Sequence, residues 1–188
     1  MYQTVFRNAL VSFCHEVLRV QLKPLCCAHM FILQCIDSPY VVDGTSEATV
    51  EDLSNAVDIC SRTWEDNLDK LNNPIADDAV AKKWGKACRK MDFSAESKKF
   101  QTYLLEHLAT PRTKQSAGES CRNPWPLMIV VTLMERVSES RSWNMSMPLA
   151  RSYLLSIQEI NGDKTLMTDE EIVVFDRAKQ FRKDMKKD

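Results

Sequence analysis

Apolar residues recur at three- and four-residue steps along most of this chain, and no stretch alternates cleanly enough to predict a strand. From Tyr2 to about Val20, Val5, Phe6, Ala9, Leu10, Phe13, Val17 and Leu18 predict an amphipathic helix over residues 2–20. Pro24 opens a second helix over 24–36, apolar almost all round, which suits a core position. Asp37-Ser38-Pro39 ends it, because the residue before proline avoids helical angles. Thr49, with Asp52 three residues on, forms a capping box that starts a helix over 49–68, with Leu53, Ala56, Val57, Cys60 and Trp64 inward. A fourth helix over 75–89 places Asp77 and Asp78 in its first turn and Lys86 and Arg89 in its last, as the helix dipole favours. Ser94 is expected to cap a fifth over 94–108, built on Phe100, Tyr103, Leu104 and Leu108.

Residues 110–122 are low in apolar content and predict a mobile loop between two helical groups, 1–109 and 123–188. Beyond the loop, Trp125-Pro126 and Ser146-Met147-Pro148 each place proline near a helix start, where its missing N–H has no partner to lose. The first of these helices carries Leu127, Ile129, Val130, Val131, Leu133, Met134 and Val137; the second carries Leu149, Tyr153, Leu154 and Ile157. About eight polar residues join them, which predicts a helical hairpin ended by Asn161-Gly162. Thr168 and Glu171 form a second capping box, before a last helix carrying Ile172, Val173, Phe175, Ala178 and Phe181. The fold class expected is all-α, an irregular bundle of about seven to eight helices with no sheet.

Composition narrows the function. Hydrophobic residues make up 44%, enough for a core. The net charge of −1 gives no broad attraction to nucleic acid or to a membrane surface, and neither is expected as a partner. Four glycines are too few for a phosphate-cradling loop or a many-turned β architecture. The seven cysteines are odd in number and have no framework spacing, so reduced thiols in a cytoplasm are expected. The Asn144-Met145-Ser146 sequon would not be glycosylated there.

Candidate chemistry is thin. Cys26 and His29 share a helical face and are the candidates for a metal pair. Structural zinc sites, however, place two ligand pairs on turns, and cysteine is commonly a small buried hydrophobe. His15 beside Cys14, His29 and His107 carry no local nucleophile signature. No enzyme activity and no cofactor are expected. Trp125, Met128, Trp143, Met145, Met147 and Tyr153 are the candidate partner-binding residues, because tryptophan anchors interfaces and methionine adapts to them.

The stretches PWPLMIVVTLMERV, SWNMSMPLARSYLLSIQEINGD and LMTDEE, with LKPLCCAHMFILQCIDSPYV and TVEDLSNAVDICSR nearer the N-terminus, resemble small helical proteins of tailed-phage and prophage tail modules, of the tail assembly chaperone kind. These stretches cover about half the chain; residues 75–108 and 110–122 have no counterpart in them. The resemblance implies a non-catalytic protein of the bacterial host cytoplasm that shields a long helical client such as the tape-measure protein. A virion structural component, a connector or minor tail protein, is the alternative, and a thiol- or metal-dependent enzyme is the second. Self-association is left open.

Overall fold

The computed structural model describes residues 14–42, 47–73, 91–109, 124–162 and 166–184. Among them the chain is mostly helical: α1 Cys27–Cys35, α2 Val50–Cys60, α3 Trp64–Asn72, α4 Phe93–Leu108, α5 Trp125–Met134, α6 Glu139–Asn144, α7 Met147–Ile160 and α8 Asp169–Asp184. A small antiparallel hairpin, β1 His15–Val17 and β2 Val20–Leu22, precedes them.

That hairpin corrects two expectations. The described end of the 2–20 segment is a strand pair, so the fold has a small sheet; residues 2–13 lie outside the described residues. The sequence His15 to Leu22 serves both periods. Val17 and Leu22 are buried and Glu16 and Gln21 exposed, as a pleat requires, while Val17 and Leu18 also fit a helical stripe. The two-residue turn puts Leu18 and Arg19 at φ 53° and 61°, where side chains other than glycine are strained. Compensation comes from tertiary contacts: the Leu18 side chain is buried, and its N–H donates to Glu96 Oε2 at 2.6 Å on α4.

The second expected helix starts three residues later than predicted. Lys23 to Leu25 belong to no helix or strand, Cys26 is extended and bridges to Ser146, and the Met147 N–H donates to the Leu25 carbonyl at 2.7 Å. The entries to α1 and α7 are therefore lashed together by backbone. α1 ends on a Schellman-type turn with Asp37 in place of glycine: its φ is 50°, Ser38 N–H reaches Leu33 O and Asp37 N–H reaches Gln34 O. The expected 49–68 helix is two. Thr49 and Asp52 close the first box, and Thr63 and Asp66 close another that restarts the chain as α3. The helix expected at 75–89 and the loop at 110–122 lie outside the described residues. Asp92, two residues ahead of the expected Ser94 cap, accepts the Ala95 N–H at the start of α4. In the C-terminal hairpin, the polar connection itself folds into α6. Gly162 at φ 96° ends α7 as expected.

One core is shared by both sides of residues 110–122. Leu25, Cys27, Leu33, Leu53, Phe100, Tyr103, Leu133 and Met147 belong to the same buried cluster. α1 lies at its centre, against α2, α5 and α6. The hairpin and α2 both pack on α4.

Candidate functional site

α5 is apolar on nearly every side, so burying one face leaves another apolar face in water. Ile129, Val130 and Leu133 point into the core. Met128, Val131 and Met134, three residues apart, are 40%, 56% and 44% exposed, and form a ridge along the opposite side. The hydroxyl of Thr132 beside them donates back to the Met128 carbonyl at 2.9 Å, which removes its polarity from the surface. At the head of the helix, half-buried Trp125 lies under the Arg151 guanidinium, 5.4 Å from the ring centre. Arg151 also donates to Leu108 O at 2.5 Å, tying α7 to the end of α4.

Of the six candidate contact residues, Met128 and Tyr153 are exposed and Trp125 is half covered. Trp143, Met145 and Met147 are core. Trp143 stacks on Trp64 with ring centres 4.4 Å apart and planes 18° from parallel, and it meets Phe31 at 5.5 Å. Met147 is fully buried with its Sδ 3.7 Å from Cys27 Sγ. The alternation Trp143-x-Met145-x-Met147 was the available signal. A period of two at a helix end marks an extended inward-facing step, and Ser146 within it pairs with Cys26. Val131 and Met134, two of the apolar residues of this helix, are on the surface.

Asn144 links two elements. Its Oδ1 accepts the Trp64 N–H at 2.8 Å, which caps α3 from another part of the chain. Its Nδ2 donates to Glu65 at 2.9 Å. Ser140 also donates to Glu65, and these hydrogen bonds, Ser140's first, hold that carboxyl below its ordinary range. Asn144→Ala is expected to lower stability by about 1–2 kcal/mol, the usual size of a lost cap. Asn144→Asp should lie between, restoring the acceptor but facing Glu65 with a like charge. Urea midpoints of the three proteins check this order.

The metal candidates are already engaged. His29 Nδ1 faces the Cys26 N–H at 3.4 Å, and His29 Nε2 donates to the Arg62 carbonyl at 2.8 Å, so both ring nitrogens are used inside the fold. Burial lowers the His29 pKa to about 4 and raises the Cys26 and Cys27 thiols to about 12. At neutral pH these thiols stay protonated, which makes them poor nucleophiles and poor metal ligands. Cys60 is also pushed up by burial. Among the described residues, no three His, Cys, Asp or Glu side chains are grouped to hold an ion.

A second polar group bolts the hairpin to α4. His15 Nε2 lies 2.9 Å from Glu106 Oε2, and its ring meets Tyr103 edge-on at 5.4 Å. The Tyr103 hydroxyl donates to Lys23 O at 2.9 Å, and His107 Nδ1 donates to Tyr103 O at 2.8 Å. His15 and Tyr103 thus reach across to other parts of the chain, while His107 bonds back within α4.

A cleft of about 450 Å³ opens between α1, α2 and α3, with Ile32, Ile36, Ile59 and Leu71 as apolar lining. Lys70 at its edge is 2.7 Å from Asp58, which also receives Arg62 at 2.8 Å, so the charges there are largely compensated. The cleft can take an apolar side chain and offers little to fix a charged one. No described helix is long and apolar enough to cross a membrane. No family model matches this chain, and no curated protein or solved structure matches it either.

Proposed function

We propose that this chain is a non-catalytic tail assembly factor of a tailed phage or prophage, working in the host cytoplasm, which shields a long helical client such as the tape-measure protein. The observation that supports this reading best is the Met128–Val131–Met134 ridge of α5. Ridges of side chains at three-residue steps seat in the grooves of another helix, and methionines adapt to varied partners along it.

The size of the ridge fits reversible holding. A large aliphatic side chain gains about 1.5–3 kcal/mol when taken fully from water. The three on the ridge are already about half covered, so docking gains about 3 kcal/mol before association is counted against it. One contact of that size is weak. Many copies along one client would hold it soluble and still release it when tail-tube subunits arrive, because linked weak contacts multiply in effect.

Co-expression with the long helical product encoded nearby tests the proposal. The wild-type chain should carry that client into the soluble fraction. The double variant Met128→Glu, Val131→Glu should recover about tenfold less, the effect of losing about 1.4 kcal/mol, with its own thermal midpoint unchanged. Equal recovery with the variant would overturn the α5 assignment. Detection of the chain in purified virions would favour the structural-component alternative, since an assembly chaperone leaves before the particle matures.

A further inference from the structure

We infer that α8 pairs with α8 of a second copy of this chain, antiparallel, about a two-fold axis at Phe175. The inference is independent of the client proposed for α5.

α8 has sixteen residues, and helices of that length are marginal in water unless a face is packed. From Val173 to Gln180 every side chain is exposed, including Val174 at 65% and Phe175 at 54%. The cap is well formed: Thr168 N–H donates to Glu171 at 2.9 Å and Glu171 N–H reaches Thr168 Oγ1 at 3.2 Å. The chain thus starts this helix firmly and then leaves Val173, Val174 and Phe175 in water.

The pattern around Phe175 says what covers it. Glu171 and Lys179 lie one turn before and one turn after Phe175, on the same face. Ile172 and Ala178 lie three residues before and after it. In an antiparallel pair centred on Phe175, Glu171 of each copy meets Lys179 of the other, and Ile172 meets Ala178, large against small. The two Phe175 rings meet at the axis, where aromatic pairs pack well. A parallel pair would instead set Glu171 against Glu171 and Lys179 against Lys179. The face is therefore complementary to itself in one orientation only, as a two-fold interface requires. The charges fix orientation more than strength. A single helix offers less than the roughly 800 Å² per partner of a standard stable interface, so the association is expected in the micromolar range.

Sedimentation equilibrium on the full chain, over a micromolar concentration series, tests the inference with two single variants. Glu171→Lys alone and Lys179→Glu alone should each dimerise about tenfold more weakly than wild type, because each homodimer sets like charges together twice. Their equimolar mixture should return to near wild-type association, because both contacts are then of opposite sign. Helix content by circular dichroism should be retained in Lys179→Glu, whereas Glu171→Lys also gives up the capping contact to Thr168; the mixture keeps that loss, so recovery in the mixture reads the charge pairing alone. A wild-type chain that stays monomeric throughout, or a mixture that associates no better than its components, would overturn the pairing. The α5 double variant should dimerise as wild type does, so failure of this inference and failure of client binding are read separately.

Discussion

Trp143→Ala is expected to destabilise the fold by about 3–5 kcal/mol, the range for removing a large aromatic from a packed core. Trp143 is 6% exposed, lies flat on Trp64 and touches Phe31. It therefore joins α6 to both α1 and α3, and alanine would leave a void bordered by three elements that cannot all move in. A domain of this size has about 5–15 kcal/mol in total, so the variant should have a much lower urea midpoint and be poorly populated at body temperature. Trp143→Phe should retain part of the stacking and lose less. Far-ultraviolet circular dichroism is the appropriate probe, since other indoles remain to confuse fluorescence. An unchanged midpoint, with loss of client binding, would instead make Trp143 a contact residue.

Acid is expected to weaken the fold well above the range of ordinary carboxylates. Burial lowers the His29 pKa from an unfolded value of 6.5 to about 4. Between those values the unfolded chain holds a proton that the folded chain does not, so stability falls as pH drops from about 6.5 to about 4 and levels off below. The full window amounts to about 3 kcal/mol at about 1.4 kcal/mol per pH unit. His107, also lowered by burial, acts in the same direction. The carboxylates with lowered values, Glu65, Asp66 and Glu96, lose their contributions only as pH falls through lower values, so the decline above about pH 5 belongs to the imidazoles. His29→Gln removes the titration while keeping an acceptor for Cys26 N–H and a donor for Arg62 O, and glutamine is itself a capping-box residue. Urea midpoints at about pH 7 and about pH 5 should differ clearly less in His29→Gln than in wild type. An equal slope in both proteins would remove His29 as the cause.

What could be read from the sequence was whatever is decided within a few residues. The Thr49–Asp52 and Thr168–Glu171 boxes and the Gly162 exit are closed by atoms one turn apart or less, and each is found where the pattern placed it. Thr63-x-x-Asp66 is the same signal and was hidden by the apolar stripe running through Cys60 and Trp64. The hairpin was not legible. Val17 and Leu18 fit either period, and the strained turn is held by Glu96, 78 residues away. Nor could the sequence alone divide its apolar residues between core and surface. Met147 is buried because Leu25 and Cys27 meet it, whereas Val131 is exposed because none of the described elements covers that side of α5. Burial there depends on which segments arrive, and no periodicity encodes that.

The backbone lashing between Leu25 and Met147 has a consequence for synthesis. The segments that it joins, as the contact of Cys27 with Met147 measures, are 120 residues apart. At roughly 5–20 residues per second a ribosome needs about 6–24 s to make the intervening chain. For that interval the nascent α1 segment, greasy on nearly all sides, waits for the C-terminal third that will enclose it. Ribosome stalling or a premature stop before Met147 would leave that segment uncovered, and such truncated products should be insoluble.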